Sequence, residues 1–83
     1  MTSKTRLEYN EEGDVLYVVL HDKQVARSKC VDNLRTIDYG EDGSVVGLEF
    51  VSASSGIDLS DMPSSETVAE LIGESGQKFP IFA

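Results

Sequence analysis

The run VLYVVL at residues 15–20 limits the folds open to this chain more than any other stretch of the sequence. Side chains of a β-strand point alternately to its two faces, so this run would place apolar residues on both. One face receives Leu16, Val18 and Leu20, and the other receives Val15, Tyr17 and Val19. A strand that is apolar on both faces is typical of the middle of a sheet with a cover on each side. The fold must therefore supply two covers.

Two β-hairpins are predicted from the surrounding pattern. TRLEY at residues 5–9 alternates between apolar and charged side chains, and the turn-forming sequence NEEGD at 10–14 connects it to residues 15–20. LRTIDY at 34–39 and VVGLEFV at 45–51 flank a second turn-forming sequence, GEDGS. Neighbouring antiparallel strands are therefore expected in both halves of this region.

Two features of this region leave alternatives open. Residues 21–33 are polar and alternate weakly, so they predict a long connection with or without an edge strand. Gly47 lies inside a predicted strand, where glycine marks either a bulge or the close approach of another element.

A short amphipathic helix is predicted over residues 64–74. Val68, Leu71 and Ile72 recur at the spacing that forms one apolar stripe on a helix. Ser64 or Ser65 can cap the amino end, and Gly73 or Gly76 can end the helix. The stripe requires a sheet face to cover.

The tail at residues 77–83 concentrates apolar side chains where chain ends are usually polar. It can pack in cis against the sheet or on a second subunit. One short helix covers only one face of a sheet, so the second apolar face is expected to meet the tail or another subunit, most simply in a homodimer. The predicted interface residues are Val15, Tyr17, Val19, Phe79, Ile81 and Phe82.

The predicted fold class is α+β. An antiparallel sheet of about four strands, made from two hairpins, carries one C-terminal helix on a face. Residues 1–83 form a single domain, with a β-rich part at 5–51, the helix at 64–74 and the apolar tail at 77–83.

The charge balance argues against several classes of partner. Fifteen acidic residues oppose seven basic ones, and the net charge of -8 repels nucleic-acid phosphates and anionic membranes. The same charge is compatible with a basic protein partner, and solubility alone explains it equally well. The single Cys30 fits a reducing compartment, and no apolar signal sequence or membrane helix is present, so the cytoplasm is the predicted location.

Residues 38–49 have the spacing of a calcium-binding EF-hand loop. The matching residues are Asp38, Asp42, Gly43 and Glu49. Gly40, however, occupies a ligand position without offering a side-chain oxygen, and both flanks alternate like strands where an EF-hand has helices. We therefore predict a hairpin turn, and a cation-binding module that uses this turn is the alternative.

Catalytic signatures are weak in this sequence. One cysteine and one histidine cannot form a structural zinc site, and there is no phosphate-binding glycine loop. His21 and Cys30 lack the partners that a catalytic triad requires. We predict no catalytic, cofactor-binding or metal-binding residues, and a non-enzymatic interaction module that binds itself or a protein partner. A minor hydrolase-like activity is the second alternative.

Two separated motifs, YNEEGDVLYVVL and TIDYGEDGSVVGLEFVSAS, give a family resemblance. They resemble the small prokaryotic family catalogued as domain of unknown function 2283, over Leu7 to about Ser54. The residues that carry the resemblance are Tyr9, Asp14, Leu16, Tyr17, Asp38, Tyr39, Gly43, Val46, Gly47 and Glu49. Asn10 and Gly40 depart from the family pattern, which more often has an acid there. The resemblance implies a small β-rich domain and no established activity.

Overall fold

The computed structural model describes residues 5–82 of the chain. Five strands form the main sheet: β1 at Arg6–Asn10, β2 at Val15–Val19, β3 at Arg27–Cys30, β4 at Arg35–Tyr39 and β5 at Val45–Val51. A 3-10 turn at Ala53–Ser55 and the short strand β6 at Ile57–Asp58 follow. The helix α1 spans Ser65–Ser75, and the short strand β7 is Ile81–Phe82.

The main sheet has the strand order β1-β2-β5-β4-β3 and is antiparallel throughout. Both predicted hairpins are present, and the pairing of β2 with β5 joins them at the centre of the sheet. The predicted α+β class is confirmed, with five strands rather than about four. The additional strand is β3, whose residues are all exposed, as suits a charged edge strand.

One core fills the space between the sheet and α1. Leu16 and Val18 of β2 and Leu48 of β5 are fully buried in it, and α1 contributes Val68 and Ile72. Burial of a side chain of this size stabilises the fold by about 1.5–3 kcal/mol. The apolar stripe predicted for the helix therefore covers one sheet face, as expected.

The carboxyl end of α1 follows the local sequence, whereas Ser64 at the amino end does not form the predicted side-chain cap. Ser64 is the residue that precedes the helix and has a left-handed backbone, with φ of 56° and no side-chain capping bond. Gly76 ends the helix with φ of 78°, a conformation that glycine adopts without steric strain. Of the two glycines that could end the helix, Gly76 does so. None of the helices in the described part of the chain has the length and apolar character needed to cross a bilayer.

The tail packs in cis, on the same side of the sheet as α1. The Phe79 ring meets the Tyr9 ring edge to face, with 5.0 Å between ring centroids. β7 then pairs in parallel with β6, whose Ile57 belongs to the core. The tail therefore leaves the second face of the main sheet uncovered.

Candidate binding surface

We call the sheet face opposite α1 the open face. Two cross-strand rows of side chains lie at its centre, and Val15 and Val51 pair beyond the second row. The first row contains Arg6, Val19, Gly47, Asp38 and Ser28. The second row contains Glu8, Tyr17, Glu49, Thr36 and Cys30. Directly paired residues in a sheet share a face, so side chains from all five strands meet here.

Tyr17 connects the two rows. Its side chain lies over Gly47, and its hydroxyl donates a hydrogen bond of 2.8 Å to Oδ2 of Asp38. The Ser28 hydroxyl donates to the other oxygen of the same carboxylate at 2.6 Å. Any side chain at position 47 would overlap the Tyr17 ring and hydroxyl. Gly47 therefore marks a close approach, and it also adjoins a sheet irregularity, because Asp38 pairs with Gly47 and Tyr39 with Val45, which leaves Val46 of β5 without a partner in β4.

The electrostatic environment of Tyr17 favours its neutral form. Burial, the hydrogen bond to Asp38 and the negative charges of Asp38, Glu49 and Glu8 together raise the pKa of Tyr17 well above its usual range. The phenol therefore remains protonated at neutral pH and continues to donate to Asp38. This bond holds the ring over Gly47, beside the Asp38 carboxylate.

We expect the raised pKa of Tyr17 to weaken the fold at alkaline pH. Below about pH 10, the tyrosine is protonated in both the folded and the unfolded chain. Above that pH the unfolded state releases a proton that the folded state retains, so the free energy of unfolding falls as pH rises. The melting temperature of Tyr17→Phe should fall less steeply than that of the wild type between about pH 9.5 and 11. Parallel curves for the two proteins would contradict this assignment.

The open face is less apolar than the alternation of residues 15–20 indicates. Val19 is only 7% exposed, and Val15 and Val51 are partly buried. Of the large apolar side chains that are exposed in the described part of the chain, Val25, Ile81 and Phe82 lie outside the five strands of the main sheet. Leu34 adjoins this face, because its carbonyl accepts a 2.8 Å bond from the Val51 amide.

The predicted interface residues separate into two groups. Val15, Tyr17 and Val19 lie on the open face, whereas the three tail residues lie on the side of α1. Phe79 is half-buried there, and Ile81 and Phe82 remain 41% and 54% exposed. The six residues therefore do not form one surface.

The calcium-like spacing corresponds to a hairpin turn, as predicted. Gly43 has φ of 86°, and the Gly40 amide donates to the Ser44 carbonyl at 2.8 Å across the turn. Asp42 accepts a 2.7 Å bond from Lys23 and a second from Ser44, which together lower the pKa of its carboxyl. In residues 5–82, no three His, Cys, Asp or Glu side chains gather as metal ligands would. The cation-binding alternative therefore has no observation in its favour.

The two residues considered for hydrolase chemistry have separate surroundings. The His21 ring donates from Nδ1 to the Val45 carbonyl oxygen at 2.7 Å, which anchors the chain where it leaves β2. Cys30 is exposed at the end of the second row, with its sulfur 4.0 Å from the Thr36 hydroxyl. Neither contact activates a nucleophile.

A second tyrosine–aspartate pair stabilises the turn between β1 and β2. The Tyr9 hydroxyl donates to Oδ1 of Asp14 at 2.7 Å, while the Ser54 amide and hydroxyl donate to the same carboxylate at 2.9 and 2.6 Å. Asp14 has a left-handed backbone with φ of 54°. The bonds from Ser54, and then from Tyr9, lower the pKa of Asp14. This cluster ties the first hairpin to the end of β5.

We expect Asp14→Asn to lower the melting temperature at neutral pH, because asparagine tolerates the left-handed backbone but loses the charge that strengthens these bonds. The lowered pKa means that the unfolded state binds the proton first. The stabilisation is therefore present above about pH 4 and is lost as pH falls further. The melting temperatures of the two proteins should converge in a series from neutral pH to about pH 3. A constant difference would argue against an electrostatic role.

The fold and the open face define a small α+β domain in which residues 5–82 cover one side of the antiparallel sheet and leave the other open. Residues 6–54 match the family described as "Protein of unknown function (DUF2283)", and the chain belongs to that family. The match spans the five-stranded sheet and ends at Ser54, the partner of Asp14. Comparison with curated proteins found no match, and neither did comparison with solved structures.

Five of the ten residues that carry the resemblance meet in the two clusters just described. Tyr9 bonds Asp14, and Tyr17 crosses Gly47 to bond Asp38. Sequence reasoning did not identify Glu8, Ser28 or Thr36 as part of the open face. Their signal is the strand register, which becomes readable only once β2 is known to pair with β5.

Proposed function

We propose that this chain is a non-enzymatic protein-interaction module whose binding surface is the open face. The observation that carries the proposal is that α1 and the tail occupy the other side of the sheet. Antiparallel sheets can face water on one side, so an uncovered face alone is not a binding surface. Here, however, Tyr17 is held by Asp38 at the centre of the face, and tyrosines held in place are common anchors of protein interfaces.

The size of the open face suits a transient complex. Five strands spaced by about 4.8 Å, each about 17 Å long, provide an area of roughly 400 Å². A stable complex typically buries about 800 Å² on each partner. We therefore expect a weak complex that dissociates readily. The proposal retains the cytoplasmic location predicted from the sequence.

Charge reversal on the open face tests the proposal. The wild-type chain, immobilised and exposed to native lysate, is expected to retain a protein that Glu49→Lys fails to retain. Glu74→Lys is the matched control, because it makes the same charge change on an exposed position of α1. Melting curves show whether each variant is folded. Equal retention by the wild type and Glu49→Lys would contradict the proposal.

Self-association is a second proposal, supported by a different observation. Ile81 and Phe82 expose large apolar surface on β7, which lies at the edge of its two-stranded sheet. Such an edge can pair with a second copy about a two-fold axis. Light scattering at micromolar concentration should give the mass of a dimer for the wild type and of a monomer for Phe82→Ser. A monomeric wild type would contradict the proposal that the chain forms a homodimer.

A further inference from the structure

The second row of the open face places a carboxylate on each strand that neighbours Tyr17. Tyr17 pairs with Glu8 of β1 on one side and with Glu49 of β5 on the other. Cβ atoms of such pairs lie about 4.5–5.5 Å apart, so one long side chain above the ring could reach both carboxylates. The face of a tyrosine ring attracts a cation, and a carboxylate beside the ring can form an ion pair with the same cation.

The open face has little positive charge of its own in the described residues. Arg6 lies at its outer strand and is bonded to Glu8 at 3.0 Å, with both side chains about half exposed. Glu49 makes no salt bridge or side-chain hydrogen bond within residues 5–82. The basic residues of β3 point to the other face, because Lys29 pairs with the core residue Ile37. Among the described residues, the two rows of the open face therefore carry three carboxylates, from Glu8, Asp38 and Glu49, and one guanidinium, from Arg6.

This charge pattern distinguishes between the classes of occupant. A second copy related by a two-fold axis would bring the same patch against itself and oppose like charges. A nucleic acid would bring phosphates to a negative surface on a chain of net charge -8. A basic protein segment meets the face with complementary charge.

We infer that the partner presents an arginine- or lysine-rich segment to the open face, with one cationic side chain lying over Tyr17 between Glu8 and Glu49. This inference rests on the proposed function and specifies its partner class. The acidic row supplies the charge, and the ring held by Asp38 fixes where the cation lies. The affinity should fall as the salt concentration rises, because the ion pairs that the cation would form with Glu8 and Glu49 are exposed to solvent.

A peptide titration followed by NMR tests the inference on the full chain. The probe is a synthetic arginine–serine repeat peptide, and a glutamate–serine repeat is the charge control. Binding is expected to shift the Tyr17 ring signals and the amides of β2 and β5. The double variant Glu8→Gln/Glu49→Gln should bind about fivefold more weakly. The matched double variant Glu70→Gln/Glu74→Gln removes the same charge from α1 and should bind within about twofold of the wild type.

Equal weakening by the two double variants, or shifts confined to α1, would overturn the inference and reduce the binding to general charge attraction. That failure is distinct from failure of the proposed function. If lysate capture depends on Glu49 while the basic peptide does not select the open face, the partner class is wrong and the binding surface stands. If the wild type and Glu49→Lys retain the lysate protein equally, the proposed function itself fails.

Discussion

Substitution of Gly47 by alanine is expected to lower the free energy of unfolding by about 3 kcal/mol, because a new methyl group overpacks the site and a hydrogen bond is lost. The added Cβ would overlap the Tyr17 ring. Pairing of Gly47 on both sides, with Val19 of β2 and Asp38 of β4, limits how far the backbone can move. Tyr17 must therefore swing outward and release Asp38. Urea unfolding followed by circular dichroism measures the change.

Two controls separate this mechanism from a general effect of alanine. Gly73 lies in α1 with open space around its Cβ position, so Gly73→Ala should stabilise the fold by up to about 1 kcal/mol. In a Tyr17→Ala background the overlap is absent, so Gly47→Ala should cost less than about 1 kcal/mol. An unchanged cost in that background would show that Tyr17 is not the cause.

Removal of Arg35 is expected to lower the free energy of unfolding by about 2 kcal/mol, because its hydrogen bonds are made by a charged group with little access to water. The Arg35 side chain is 10% exposed. Its guanidinium donates to the Asp58 and Ser60 carbonyl oxygens at 3.2 and 2.6 Å and to the Asp32 carboxylate at 2.8 and 3.0 Å. These bonds hold β4 to the segment that leads to α1. Arg35→Ala leaves the two carbonyls without this donor.

Arg6→Ala is the matched control for Arg35→Ala. Arg6 forms a 3.0 Å ion pair with Glu8, but both side chains are about half exposed. Exposed pairs contribute little, so we expect a change below about 0.5 kcal/mol. The loss of unfolding free energy for Arg35→Lys should lie between those for Arg6→Ala and Arg35→Ala, since an ammonium cannot reproduce the planar fork of a guanidinium. Equal losses for Arg6→Ala and Arg35→Ala in urea unfolding would contradict a clamp at Arg35.

The sequence predicted the parts of the fold that are encoded locally. Alternation and turn residues identified both hairpins, and the stripe of Val68 and Ile72 identified the helix, because each pattern reflects neighbours within a few residues. The edge strand β3 was left open, since four exposed polar residues have no apolar alternation. Its pairing with β4 defines it as a strand, and pairing is a tertiary property.

The open face could not be predicted because it depends on how the hairpins pair. Tyr17 and Asp38 are 21 residues apart and meet only because β5 lies between β2 and β4. Gly47 was recognised as unusual, but its reason is a side chain from another strand. The alternation of residues 15–20 exaggerated the apolar character of this face. Tyr17 carries a polar end, and Val19 is already buried within the chain.

Cys30 provides the most direct test of the open face as a binding surface. It is the single cysteine of the chain, is exposed, and ends the row that contains Tyr17 and Glu49. The measurement is the rate at which Cys30 is alkylated, followed by mass spectrometry, with and without a saturating amount of the purified partner that Glu49→Lys fails to retain. A partner seated on the open face should slow the reaction severalfold. An unchanged rate in the saturated complex would contradict the assignment of this face as the binding surface.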